Sequence, residues 1–245
     1  MNAKPAPALD TLLARHAARA AALTPDAANY WTRHAVRFEF VLRELDRRFR
    51  GRARTALDVG SSFQTQLLAE FFPEWRIDTL ADICDGRFLL PAPSRHFQFD
   101  LNDALDCSRW PALGGPYDVI VFMEVIEHLN TPPRRVLEFL AAQLAPGGVI
   151  VLTTPNATWL KNRLRLLLGR NPFELLRDDR TGHIREYTLG ELTAAARDTG
   201  LEVAVAQRRG LYRFTGAKDR FYSALANATH PSLRRSIFMV LQRPA

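Results

Sequence analysis

The sequence predicts an α/β protein with a mostly parallel sheet of seven strands and helices on both faces, and three observations lead there. The apolar run Tyr117 to Met123, interrupted only by Asp118, suits a strand buried on both sides of a parallel sheet. An amphipathic helix follows, entered through Pro132 and Pro133, with Val136, Leu137, Phe139, Leu140 and Leu144 at helical spacing. The breaker Ala145-Pro146-Gly147-Gly148 then leads into a second apolar strand, Val149 to Thr153. Strand, helix, glycine turn and strand form a right-handed βαβ unit. Chemistry in such sheets gathers at the carboxyl ends of the strands, where Glu124 to His128 and Thr153 to Asn156 fall.

The remaining elements are read in chain order. Met1 to Ala8 is rich in Ala, Pro and Lys and is expected to be loose. Leu9 to Leu23 reads as an alanine-rich helix, and Thr24-Pro25-Asp26 starts another that runs to about Phe49 with Trp31, Val36, Phe38, Phe40, Val41, Leu42 and Leu45. Residues 1–50 thus form a helical cap, placed across the sheet or over the mouth of the site. Ala56 to Gly60 is the first strand and its turn, followed by a helix over Gln66 to Phe72 that Pro73 ends. Trp75 to Ala81 and Phe97 to Phe99 are the second and third strands, closing on Asp82 and Asp100. An insertion over 157–187 carries seven Lys/Arg against four Asp/Glu, with Leu160, Leu164, Leu167 and Leu168 at helical spacing. A helix over Thr188 to Asp198 has Thr188 as N-cap, Glu191 at the capping-box position and Gly200 just past its end. Leu201 to Ala206 and Ser236 to Leu241 supply the last two strands.

Bulk properties narrow the class. A chain of 245 residues with 47% hydrophobic content can bury one sizeable core. The formal charge of +7 comes mainly from scattered arginines without a basic tract, so it reads as solvated surface and not as a nucleic-acid footprint. Cys84 and Cys107 have neither metal-ligand nor disulfide spacing. No signal-like hydrophobic segment and no apolar run of membrane-spanning length occurs, so a cytoplasmic location is expected.

The ordered set Asp118-Val119, Glu124-Val125-Ile126-Glu127-His128-Leu129, Pro146-Gly147-Gly148 and Thr154-Pro155-Asn156 resembles the Rossmann-like (class I) S-adenosylmethionine-dependent methyltransferases from about Ala56 to the C-terminus. The resemblance implies a methyltransferase domain over 51–245 that holds S-adenosylmethionine, with an acceptor lid over about 157–187. It also implies that the loop after the first strand, with Asp58, Gly60, Ser61 and Ser62, cradles the methionine part of the cofactor. Ser62 and Gln64 stand where the family usually has its second and third glycines. Asp82, about two dozen residues past Asp58, is in register to accept from ribose hydroxyls. Asp100 and Leu101 match the contact to adenine, and Met123 and Glu124 fall where the fourth strand meets the cofactor.

Methyl transfer to a hydroxyl needs an oriented acceptor and a base or metal. His16, His230, His96 and His34 are set aside as peripheral or packed, which leaves His128 and His183. His183 lies in Gly182-His183-Ile184-Arg185-Glu186-Tyr187-Thr188, similar to a family segment whose histidine faces the acceptor pocket. Three readings stand. In one, His183 or His128 is a general base oriented by Glu127. In the second, Glu124, Glu127, His128 and His183 hold a divalent cation, similar to small-RNA 2′-O-methyltransferases and to a motif in ubiquinone-pathway O-methyltransferases. In the third, Glu127 and His128 only satisfy backbone groups at a strand end. A helical segment here would crowd Glu124, Glu127 and His128 on one edge. The expected activity is O-methylation of a small molecule or sugar-containing intermediate, glycosylated or lipid-linked acceptors included. N-methylation, RNA 2′-O-methylation and a non-catalytic binding role on the same fold are the alternatives.

Overall fold

The computed structural model describes residues 8–52, 54–83, 85–175 and 182–245. Residues 1–7 of the segment expected to be loose, Cys84 and part of the expected lid (176–181) therefore lie outside the described residues. Seven strands form one sheet: β1 (Thr55–Val59), β2 (Arg76–Ala81), β3 (His96–Gln98), β4 (Tyr117–Met123), β5 (Leu144–Pro155), β6 (Glu202–Arg209) and β7 (Ser236–Gln242). Their order across the sheet is β3-β2-β1-β4-β5-β7-β6. β7 runs antiparallel to both neighbours, and the other strands are mutually parallel. This is the Rossmann-like architecture that the sequence predicts.

Alternation along β4 divides the core. Ile120 and Phe122 face one side, with α4 (Pro133–Ala142) and α6 (Leu189–Asp198), while Val119, Val121 and Met123 face the other. On that second side lie α1 (Leu9–Leu23), α2 (Pro25–Phe49) and α3 (Phe63–Phe71). α2 begins as predicted, with Thr24 Oγ1 accepting from Ala27 N and Pro25 in the first turn. It buries Phe38, Val41, Leu42 and Leu45 against the sheet, each side chain contributing roughly 1.5–3 kcal/mol. His16 of α1 is not peripheral as the sequence reading has it: it is buried, its ring centroid 5.8 Å from that of Trp31, with Nε2 3.1 Å from Glu70 Oε1.

Two elements depart from expectation. β5 starts at Leu144, which pairs with Tyr117, and the Pro146-Gly147-Gly148 turn becomes a break in register within the strand. Gly147 there adopts φ of 73° and donates its N–H to Arg243 O. A helix absent from the sequence reading, α7 (Ala217–Ala228), packs beside α5 (Leu160–Leu167), the helix expected in the insertion. Among the described residues no helix is long and apolar enough to cross a membrane.

Candidate active site

The loop after β1 is shaped by a few side chains. Gly60 turns the chain with φ of 84°, and a Cβ there would meet Val125 Cγ2 at 2.8 Å. Ser62 has extended backbone, φ −157°, so its position needs no glycine. Its Oγ accepts from Gln64 N at 3.2 Å while Thr65 Oγ1 accepts from Ser62 N at 2.9 Å, and together they cap α3. Thr65 Oγ1 also donates to Asp58 Oδ2 at 2.5 Å, tying the loop to the end of β1. Burial pushes the Asp58 carboxyl up to about 7 even though this hydrogen bond favours its ionised form.

Gln64 falls in the first turn of α3 and is buried, and neither its Oε1 nor its Nε2 has a partner among the described residues. Ser61 Oγ is in the same condition. Buried polar atoms without partners are costly unless a bound polar group meets them. The loop therefore fits a ligand with donors and acceptors close to the backbone, as the methionine part of S-adenosylmethionine has. A cavity of about 440 Å³ opens beside it, lined by Tyr30 and Thr24 of the N-terminal helical region, by Ser61 to Phe63, and by Arg87 and Phe88.

The other expected cofactor residues lie along the carboxyl edge of the sheet. Asp82 is exposed in the bend after β2, and Ile83 beside it is 82% exposed, an apolar surface next to a carboxylate. Asp100 Oδ1 accepts from Asn102 N at 2.8 Å, and Leu101 is buried in the short turn this caps. Met123 ends β4 facing α1 to α3. Glu124 leaves β4 with φ of 52°, so the helical crowding of Glu124, Glu127 and His128 does not occur. Its carboxylate turns toward α2, where Arg37 Nη1 lies 3.4 Å away.

Beyond Glu124 a single 3₁₀ turn, Ile126–His128, is laced to the segment at 182–187. Glu127 O accepts from Ile184 N at 2.8 Å and Arg185 N at 3.1 Å. This brings His128 and His183 together, their ring centroids 5.0 Å apart. His128 Nδ1 lies 3.0 Å from Gly182 O, and a carbonyl can only accept, so Nδ1 carries the proton and Nε2 is left with its lone pair. Burial holds His128 below its ordinary pKa, helped by the nearby His183. His183 Nδ1 lies 3.3 Å from Glu186 Oε1. Burial alone would lower His183, but the Glu186 contact and the carboxylates of Glu127 and Glu186 bring it above its ordinary value.

Glu127 is fully buried, with Oε2 accepting from Thr154 Oγ1 at 2.9 Å. Burial first, and then the charge of Glu124, push its pKa up. The Glu186 hydrogen bond at Nδ1 is the main influence that raises His183, with the Glu127 charge adding to it without direct contact. Glu186 itself is held below the usual carboxylate range despite burial, by His183, Arg235 and Asn162. Asn162 of α5 donates to Glu186 Oε2 at 3.1 Å and fixes its rotamer. Glu127 is thus not the residue that orients either histidine. Glu186 orients His183, and the Gly182 carbonyl orients His128. Ligand atoms of Glu127, His128 and His183 lie within 4.8 Å of one another, whereas Glu124 does not join them.

Sequence reasoning missed Glu186, although it sits three residues after His183 in the quoted segment, and it missed Arg37, which carries no local signal. Residues 30–205 match the methyltransferase-domain family. A 44-residue stretch is 46% identical to the ubiquinone biosynthesis O-methyltransferase of Caulobacter sp. (strain K31), a match spanning 18% of this chain and 17% of that relative's length. The fold superposes on a Haloferax volcanii chain from the complex between the Trm112 methyltransferase activator and a methyltransferase, with TM-score 0.60, 16% identity, and 97% and 98% of the two chains covered. It also superposes on the Burkholderia thailandensis 1,6-didemethyltoxoflavin-N1-methyltransferase, solved with its acceptor and S-adenosylhomocysteine, with TM-score 0.58, 15% identity, and 99% and 93% covered. By its sheet order, its loop and the span of this match, the chain belongs to the methyltransferase-domain family of Rossmann-like, S-adenosylmethionine-dependent methyltransferases.

Proposed function

We propose that this protein O-methylates a small molecule or a sugar-containing intermediate, glycosylated or lipid-linked acceptors included, with the His183–Glu186 pair as general base. One observation supports the reading above others: a histidine with raised basicity, held by a carboxylate through Nδ1, lies beside a second, neutral histidine at the carboxyl edge of β4 and β5. When bound, S-adenosylmethionine supplies an electrophilic sulfonium methyl with a neutral thioether as leaving group. Asp58 through Thr65, with Ser61, Ser62 and Gln64, would hold its amino-acid end, and Asp82, Ile83, Asp100 and Leu101 its nucleoside. His183 Nε2 takes the proton of the acceptor hydroxyl as the C–O bond forms, and Glu186 stabilises the imidazolium that results. His128 Nε2 accepts a hydrogen bond from a neighbouring acceptor group and fixes the attack angle.

The test is a product assay on a panel of phenols, catechols, sugar nucleotides and amines, with mass spectrometry and glycosidase or acid treatment to locate the methyl group. An ether product from the wild type, lost in His183→Ala, supports the reading. Methylated amine alone would replace it with N-methylation, and absence of S-adenosylhomocysteine binding by calorimetry would point to a non-catalytic binding protein.

A second reading has its own support, since the Glu127, His128 and His183 ligand atoms cluster closely enough to hold a divalent cation. A bound cation would acidify an adjacent diol hydroxyl. Dialysis against chelator with Mg²⁺, Mn²⁺ or Zn²⁺ add-back separates the two: activity indifferent to chelation keeps the base, and activity restored only by metal selects the cation.

A further inference from the structure

The outer surface of α5 and α7 has no use in the reading above, and its composition is unusual for solvated protein. Leu167 of α5 is 82% exposed and its C-cap Leu168 71%, while Phe221 of α7 is 64% and Leu225 41% exposed. Single exposed leucines are ordinary, but several large apolar residues brought together by two packed helices mark a surface meant to be covered. Along α5 and its C-cap, Lys161, Leu164, Arg165 and Leu168 recur at i, i+3, i+4 and i+7, and on α7 Lys218, Phe221, Tyr222 and Leu225 do the same. Lys161, Leu164, Arg165, Leu168, Lys218 and Tyr222 meet in one open cleft of about 450 Å³. Each helix thus presents cations and apolar side chains on a single stripe.

Charge identifies what covers it. Residues 157–175 and 213–230 hold seven Lys/Arg against two acids, Glu174 and Asp219. Asp219 is already paired with Lys161, its Oδ1 2.8 Å from Nζ. A protein partner or a second copy would need a complementary acidic and apolar face, and the chain as a whole is basic, which disfavours self-association. A nucleic acid would use the cations and leave the leucines in water. Basic residues interleaved with protruding Leu and Phe on short amphipathic helices fit the headgroup region of an anionic bilayer.

We propose that the α5–α7 face docks this protein on anionic membrane surfaces, Leu167, Leu168 and Phe221 entering the interface while Arg165 and Lys218 meet lipid phosphates. The inner side of the same helix α5 holds the site through Asn162 and Glu186. Docking would therefore bring the His128–His183 edge close to the bilayer, where a lipid-borne acceptor is presented. The binding itself does not depend on which atom is methylated, so it stands or falls separately from the activity proposed above.

The full chain is sedimented with vesicles of equal parts phosphatidylcholine and phosphatidylglycerol, and with phosphatidylcholine alone, at low and high salt. The wild type is expected to pellet with the anionic vesicles at low salt and to remain largely in solution with the neutral ones. Arg165→Glu/Lys218→Glu is expected to weaken partitioning by about tenfold or more, and Leu167→Ser/Phe221→Ser by about tenfold. Both variants change exposed side chains and should bind S-adenosylhomocysteine like the wild type, which confirms that they fold. A wild type that stays in solution with both vesicles overturns the proposal. So does a serine variant that pellets as the wild type does, because binding would then be adsorption without insertion, as a nucleic-acid surface would give. Dimer formation through this face, detected as a mass change lost in the serine variant, would overturn it in favour of a second copy.

Discussion

Arg37 of α2 and Glu124 at the end of β4 form a buried ion pair, Nη1 3.4 Å from Oε2, with side chains 2% and 15% exposed. The pair fastens α2 directly to the residue that follows the central strand, and Arg37 Nη1 also lies 2.6 Å from His34 Nδ1 one turn back on α2. Removing one partner of such a pair leaves a charge without compensation in low dielectric. Arg37→Met should therefore destabilise by about 3 kcal/mol, and Arg37→Met/Glu124→Gln should recover part of that loss in urea denaturation.

The carboxylate of Glu186 raises His183, and a base must be deprotonated to act. The acid limb of kcat/KM should accordingly lie above the ordinary histidine value of 6.5 and move to lower pH in Glu186→Gln. The weaker base should also reduce kcat by about tenfold or more. A Glu186→Gln enzyme with an unmoved pH profile would reduce Glu186 to a structural role.

Asp58 titrates near 7 in the folded protein against 3.8 when unfolded. The folded state holds this proton more tightly, so the contribution is fully present below pH 3.8 and is lost as pH rises to about 7. Above that, the ionised buried carboxylate costs up to about 4 kcal/mol relative to acid. Asp58→Asn keeps an acceptor for Thr65, and should raise the thermal midpoint at pH 8 while leaving it nearly unchanged at pH 4.

Gly60 combines φ of 84° with a Cβ position 2.8 Å from Val125 Cγ2. Gly60→Ala should cost about 1–2 kcal/mol from backbone conformation alone, and more from the clash. It should also weaken S-adenosylhomocysteine binding by calorimetry. Adding Val125→Ala relieves only the steric part, so the double variant should recover some stability but not all.

Much of the fold was legible because its signals are local. The run Tyr117 to Met123 gave β4 with the bounds observed, and Thr188 with Glu191 announced the start of α6 through a capping box that forms as read. α7 was passed over because its apolar residues, Phe221, Tyr222 and Leu225, are few and sit among small and polar ones, so their helical spacing spans little more than one turn. The Pro146-Gly147-Gly148 turn read as an interruption because sequence cannot show that Leu144 would pair with Tyr117. In the candidate site, the histidines were found by elimination, whereas their orienting groups were not. Glu186 is fixed by Asn162 from another helix, the Gly182 carbonyl is backbone, and His16 is buried by contacts with Trp31 and Glu70. Such partners are set by the tertiary fold and leave no spacing to read.

The antiparallel strand β7 is made after β6 and α7, yet it lies between β5 and β6. As the chain leaves the ribosome, β6 therefore has no neighbour to pair with until this later strand arrives, and the open side of β5 waits for the same segment. Chains stalled with Ser236 to Gln242 still inside the ribosome should expose both edges to proteases and chaperones, and release of the complete chain should close them in one cooperative step.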